Sequence, residues 1–198
     1  MEYVLGEAHH LSELRIVLLG FMRAGKSSSG NTIMGREEFD TEGKTTQCVK
    51  RQGQVAGKQV TVVEAPGWWR DYQLEKNEIE LSVSLCPPGP HALLLVVDLD
   101  NSFTETERGS VQGHLELLSE RVWSHTIVLF TCGDWLGDTP IEQHIESEGE
   151  SLQWLVEKCG NRYHVLNNQK REDHMQVTQL MEKIEEMVAG NRGHHYEI

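Results

Sequence analysis

Positive charge is scarce in this chain of 198 residues: 18 lysines and arginines stand against 31 aspartates and glutamates, a formal net charge of −13. That balance speaks against DNA or RNA as the main partner, because nucleic-acid binding rests on clustered Lys and Arg. A local basic loop can still hold a nucleotide. The four cysteines, Cys48, Cys86, Cys132 and Cys159, have no C-x-x-C spacing, which fits reduced thiols in a cytosolic protein better than a disulfide frame or a zinc site. Long hydrophobic runs are missing as well. The longest, Ala92 to Val97, is far too short for a membrane span. The opening MEYVLGEAHH has no basic segment leading into an apolar run, Glu2 gives no myristoylation signal, and the ending HHYEI gives none for prenylation. A soluble, cytoplasmic chain is expected. Ten histidines are present without an H-E-x-x-H spacing, and none is assigned to a metal.

What the chain does have is "GFMRAGKSS", which fits G-x-x-x-x-G-K-[ST] with Gly20, Gly25, Lys26 and Ser27. The motif works only between a strand and a helix. Before it, "LRIVLLG" is a nearly continuous apolar run, as in a strand buried on both faces of a parallel sheet. After it, "KSSSGNTIMG" reads as a short helix stopped by Gly35. Successive N–H groups from Arg23 to Ser28 would face phosphates, aided by the helix N-terminus. Lys26 would reach the outer phosphates, and the Ser27 hydroxyl would ligate Mg2+.

The rest of the chain alternates strands with helices. A hairpin turning at Gly57 ends in Pro66-Gly67, and "HALLLVVDLD" is a further strand. Thr104 and Glu107 form a capping box for a helix through Val111, Leu115, Leu118 and Val122. "TIVLFTCGD" follows, then a second capping box at Thr139, Pro140 and Glu142 for a helix running to about Lys158. "RYHVLNN" is the last strand, and Met175 to Val188 an amphipathic helix stopped by Gly190. With no repeat and no long linker, this is one α/β domain, mainly parallel, with helices on both faces. The expected limits are a tail over 1–13, a domain over 14–190 and a loose tail over 191–198.

Two further boxes lie at strand ends, where α/β sheets collect ligands. "VTVVEAPG" looks like the D-x-x-G box of GTPases, with Glu64 in place of the Asp that steadies Mg2+ and Gly67 where an N–H meets the γ-phosphate. "FTCGD" places Asp134 as in an N-K-x-D box, where a carboxylate accepts from the ring N–H and exocyclic amine of guanine. Trp68 and Trp69 stand where a water-orienting Gln is expected; two such aromatics read as core or as a partner face. The acidic run through Glu142, Glu146, Glu148 and Glu150 reads as a solvated helix face.

Together "RIVLLG…AGKSSSGNTIMG", "VTVVEAPGWW", "GPHALLLVV…SFTETE", "VLFTCGD" and "CGNRYHVLNN" resemble the GIMAP family of immunity-associated GTPases, especially its fish-type members, from about Leu14 to Val188. The resemblance implies a P-loop NTPase fold, a Ras-like G domain with a six-stranded sheet, and binding of GTP or GDP with Mg2+. It also implies nucleotide-dependent self-association, as a homodimer or oligomer, and weak hydrolysis. On this resemblance Gly20, Met22, Arg23, Ala24, Gly25, Lys26, Ser27 and Ser28 hold phosphate and Mg2+. Thr45 is the switch threonine and a second metal ligand, with Thr46 as the alternative. Glu64 and Gly67 form the Mg2+ and γ-phosphate box, Thr131 and Asp134 read the base, and Asn168, with Asn167 beside it, lines the guanine pocket.

Four residues depart from the family pattern: Glu64, Ala65, Cys132 near the usual base-side lysine, and Arg23 at a position usually held by Gly. Arg23 and Thr45 are the catalytic candidates, and Ser102 stands where some members carry an arginine. Two other readings remain: an interaction module that has lost nucleotide binding or hydrolysis, and an ATP-dependent kinase on the same loop.

Overall fold

Alternation with a period of two builds the core. The computed structural model describes residues 11–43, 46–69 and 73–198. In β1 (Glu13–Gly20), β4 (Ala92–Asp98) and β5 (Thr126–Thr131), side chains point alternately to opposite faces, and both faces are buried. Val17, Leu19, Leu93, Leu95, Val128 and Phe130 belong to one core layer; Ile16, Leu18, Leu94, Val96, Ile127 and Leu129 belong to the other. This is why the strands read as unbroken apolar runs.

The six-stranded sheet has the order β2-β3-β1-β4-β5-β6. β2 (Val49–Val55) and β3 (Lys58–Glu64) form the expected hairpin, and all other pairings are parallel, down to the short β6 (Tyr163–Val165). The order reverses at β1, between β3 and β4, so the crevice at its C-terminal end is the topological switch point.

Six α-helices flank the sheet among the described residues: α1 (Lys26–Met34), α2 (Lys76–Ser84), α3 (Glu105–Leu115), α4 (Ile141–Glu148), α5 (Glu150–Lys158) and α6 (Met175–Gly190). The Thr104–Glu107 capping box opens α3 as expected. Other boundaries differ. α3 stops at Leu115 and a 3-10 turn spans Glu120–His125, although Leu118 and Val122 are buried as their spacing predicts. Beyond the helix the Ser119 N–H is taken by the Tyr196 hydroxyl at 3.0 Å, just before the 3-10 turn. The tail expected to be loose is therefore packed: Tyr196 is 1% exposed and its N–H donates to the Pro90 carbonyl at 2.9 Å. The helix expected to run to Lys158 is divided at Gly149, whose φ of 113° suits only glycine. Pro140, not Thr139, precedes its first turn, and no side chain caps it. α2, opened by a Glu75–Glu78 capping box, is an element that the sequence pattern does not show.

β6 leads toward Asn167 and Asn168, and His164 on it is held neutral. Its Nδ1 faces the Lys183 ammonium at 3.0 Å, so Nδ1 accepts and Nε2–H donates to the Gln176 carbonyl at 2.8 Å. Burial, with the Lys183 charge adding, pushes the pKa down from 6.5 to about 4. The unfolded chain takes up this proton near 6.5 and the folded chain does not, so the contribution is full above 6.5 and is lost as pH falls toward 4. Thermal unfolding of wild type and His164→Gln across that window checks this. The variant is expected to lose less of its melting temperature on acidification, a comparison in which the overall charge effect cancels.

Candidate functional site

The loop after β1 folds around missing side chains. A Cβ on Gly20 would stand 2.7 Å from the Val96 carbonyl oxygen, so only glycine lets β1 leave the sheet so close to β4. Arg23 (φ 67°) and Gly25 (φ 104°) both take left-handed conformations. For arginine that is uncommon, and its side chain is turned out to solvent. Gly25 packs against Thr131, whose Oγ1–H donates to the Ala24 carbonyl at 2.6 Å. α1 then begins at Lys26, its first turn opening onto a cleft of about 340 Å3 lined by Met22, Arg23, Lys26, Ser27, Ser28 and Gly43.

Lys26 is 4% exposed, and its ammonium donates to the Phe21 carbonyl at 3.1 Å. Burial pushes its pKa down from 10.5 to about 8, against the raising pull of Glu64. The charge therefore sits at the base of a cleft where an anion would neutralise it. Beside it the Ser27 hydroxyl lies 2.8 and 2.7 Å from the two carboxylate oxygens of Glu64, at the end of β3. The extra methylene of Glu64 thus brings its carboxylate directly onto the hydroxyl. Both are hard oxygen donors of the kind Mg2+ takes when phosphates complete its shell, so the pair fits the metal and Ser27 and Glu64 would hold it.

After β3 the chain runs back onto the phosphate loop. Phe21 and Trp68 form an isolated parallel bridge, with Met22 N–H donating to Trp68 O at 2.8 Å and Trp68 N–H to Gly20 O at 3.4 Å. Between them Gly67 has no room for a side chain: a Cβ would lie 2.8 Å from both Lys26 Nζ and Met22 Cα. The two tryptophans divide the roles left open for them. Trp68 is fully buried, in edge contact with Phe21, whereas Trp69 is 41% exposed. Arg23, Trp69, Asp98 and Ser102 line a second cavity of about 380 Å3 beside the loop.

The base-side residues are less gathered. Thr131 is 1% exposed with its hydroxyl committed to Ala24, so it props the phosphate loop from beneath rather than facing outward to a base. Asp134 is exposed on a 3-10 turn, Gly133–Leu136, entered through Cys132 at φ 61°. Gly133 N–H donates to Leu166 O at 3.3 Å, which holds this turn against the chain leaving β6. Asn168 is pinned to α1: its Oδ1 accepts from Thr32 Oγ1 at 2.8 Å and its Nδ2 donates to Ser29 Oγ at 3.3 Å. Asn167 Oδ1 caps Gln169 N–H. Thr45 lies outside the described residues; Thr46 is exposed. Sequence reasoning missed Gly43, which closes the cleft, and the pairing of Trp68 with the loop. Neither leaves a signal in residue type or spacing.

Solved structures with this fold are G domains. Toc33 from Arabidopsis thaliana, in complex with GDP and Mg2+, aligns with 92% of this chain and 86% of its own at a TM-score of 0.74 and 15% identity. The architecture is that of a P-loop G domain. The sequence narrows this further: residues 14–198 match the AIG1 family, and the chain belongs to that family. GTPase IMAP family member 8 of Rattus norvegicus is 32% identical over 94% of this chain, and Immune-associated nucleotide-binding protein 9 of Arabidopsis thaliana 31% identical over 91%. This chain spans 28% of the first relative's length and 57% of the second's.

The Thr131 prop can be tested alone. Thr131→Val keeps the shape and removes the hydrogen bond to Ala24, which is expected to cost about 1 kcal/mol in urea unfolding. Substituting the exposed Asp134 by Ala is expected to leave unfolding unchanged.

Proposed function

We propose that this chain is a guanine-nucleotide switch domain: it binds GTP and GDP with Mg2+, hydrolyses GTP slowly, and acts through nucleotide-dependent self-association or partner binding. The observation that carries this reading is the buried Lys26 ammonium at the foot of the cleft, with the Ser27–Glu64 pair beside it at the switch point of the sheet. Lys26 neutralises outer phosphates, Ser27 and Glu64 hold the metal that offsets their charge, and the N–H groups from Arg23 to Ser28 cradle them. The G-domain fold shared with GDP-bound Toc33 supports the same reading. By its family the setting is immune defence.

Slow hydrolysis follows from Trp68. The residue after Gly67 is buried and turned under the loop, so its side chain cannot align an attacking water. Arg23 and Ser102 line the neighbouring cavity. Of the two, Arg23 alone carries a charge able to offset that of a transferring phosphoryl group; where an arginine finger does this it is worth about 10³ to 10⁵ in rate. Rapid turnover by the isolated domain that survives Arg23→Ala would overturn this part.

One observation favours a second reading, a module without nucleotide. The Ser27 hydroxyl shares its one proton between the two Glu64 oxygens, a tie that fastens β3 to α1 without a metal. Heating the purified protein with EDTA and identifying released nucleotide by chromatography separates the two readings, and a GTP titration with and without Mg2+ extends the test to a protein purified empty.

Two substitutions sharpen the proposal. Lys26→Ala removes the cleft's buried cation and is expected to abolish GTP binding by calorimetry with the melting temperature retained. Asp134→Asn exchanges an acceptor for a group that can donate to the carbonyl xanthine carries where guanine has its amine. GTP binding is expected to weaken by about 1 to 3 kcal/mol per mispaired group while XTP gains relative affinity. An unchanged order of GTP, ATP and XTP in competition would remove Asp134 from the base site and restore the ATP-dependent alternative.

A further inference from the structure

Trp68 and Leu74 are both fastened to one histidine. His114, on α3, lies flat against the Trp68 indole, with ring centroids 4.0 Å apart and planes inclined by 10°. Its Nε2 lies 3.0 Å from the Leu74 amide nitrogen, and its Nδ1 lies 2.7 Å from the Ser110 carbonyl oxygen. A carbonyl only accepts and an amide N–H only donates, so Nδ1 carries the proton and Nε2 is the acceptor. One neutral tautomer satisfies both partners. Burial lowers the pKa of the ring, opposed by the Ser110 carbonyl, in keeping with that neutral form.

Trp68 passes the contact on. Its backbone N–H and C=O bond Gly20 and Met22 at the mouth of the cleft, so a continuous line of contact runs from α3 through His114 and Trp68 to the phosphate loop. The indole Nε1 is buried and has no hydrogen-bond partner among the described residues. Polar bonding of the indole therefore contributes nothing to holding Trp68 in place; burial in the core, the edge contact with Phe21, the His114 stack and the two backbone bonds do it.

We propose that His114 is a positioning residue for the phosphate loop: by stacking on Trp68 and accepting from Leu74 it holds Trp68 against that loop, and its release frees Met22 and Gly67 to take other partners. The proposal rests on the nucleotide reading only where those partners are phosphates.

Two substitutions separate its halves. His114→Gln retains an acceptor near the Nε2 position and removes the stacked ring; His114→Phe retains a ring and removes the acceptor. In amide hydrogen exchange on the nucleotide-free protein, His114→Gln is expected to speed exchange at Met22 about tenfold or more and spare Leu74, while His114→Phe does the reverse; β5 stays protected in both. In the wild type, NMR is expected to show a coupling across the hydrogen bond between the Leu74 amide nitrogen and His114 Nε2. No such coupling, no change in either variant, or a rise that includes β5 would overturn the proposal, the last by making His114 an ordinary packing residue. Fluorescent mant-GDP adds the nucleotide arm: release from His114→Gln is expected to be about fivefold faster than from wild type or from His114→Phe, and release from His114→Gln at the wild-type rate would overturn the link to the cleft. A wild type that takes up no mant-GDP would sink the nucleotide reading and leave the exchange result to decide the role of His114.

Discussion

A buried ammonium sets the terms for everything around the phosphate loop. A cation in the interior is tolerated only where compensating groups approach it closely, and Lys26 has the Phe21 carbonyl at 3.1 Å and the field of Glu64. Close approach is bought with absent side chains: Gly20 passes the Val96 carbonyl, Gly25 admits Thr131, and Gly67 comes up against Lys26 itself. Because burial still holds the lysine down to about 8, an arriving phosphate would stabilise the charged form. Binding an anion and tightening the loop are then a single thermodynamic event.

The contacts of Trp68 combine a strong hold with one unmet demand. It is fully buried in the core, in edge contact with Phe21 and stacked on His114, with backbone bonds to Gly20 and Met22. Its buried indole N–H, without a partner among the described residues, costs about 1–3 kcal/mol, which is recovered once that group reaches water or an acceptor. Its neighbour Trp69 faces outward beside Arg23 and the second cavity, so a change at Trp68 would be passed to the surface.

Much of the fold was legible because two-sided burial writes itself as unbroken apolar strands, and because the phosphate loop fixes residue types by backbone geometry. What was not legible came from distant residues. The helix expected to pass through Val122 ends at Leu115, and the chain beyond it is tied through the Ser119 N–H to Tyr196, 77 positions away; no local pattern announces that. Gly149 falls within the helix expected to run to about Lys158 and is instead a break at φ 113°. α2 carries few apolar residues and left no periodic signal. In the site, the residue types Lys26, Ser27 and Glu64 pointed to their neighbourhood. The inward commitment of Thr131 and the pinning of Asn168 to α1 depend on packing that spacing does not encode.

Both margins of the sheet are guarded. On the β2 side, the carbonyl of Lys50 is taken by the Arg51 guanidinium at 2.9 Å and that of Gln52 by Arg36 at 3.4 Å. On the β6 side, a strand of three residues, the Tyr163 carbonyl is taken by Lys183 at 2.9 Å. Unpaired strand edges invite addition of a foreign strand and, with it, aggregation; charged side chains and brevity deter both. Blunted margins steer a chain away from growing its sheet into a neighbour's and leave its loops and helices as the surfaces on which a contact can form.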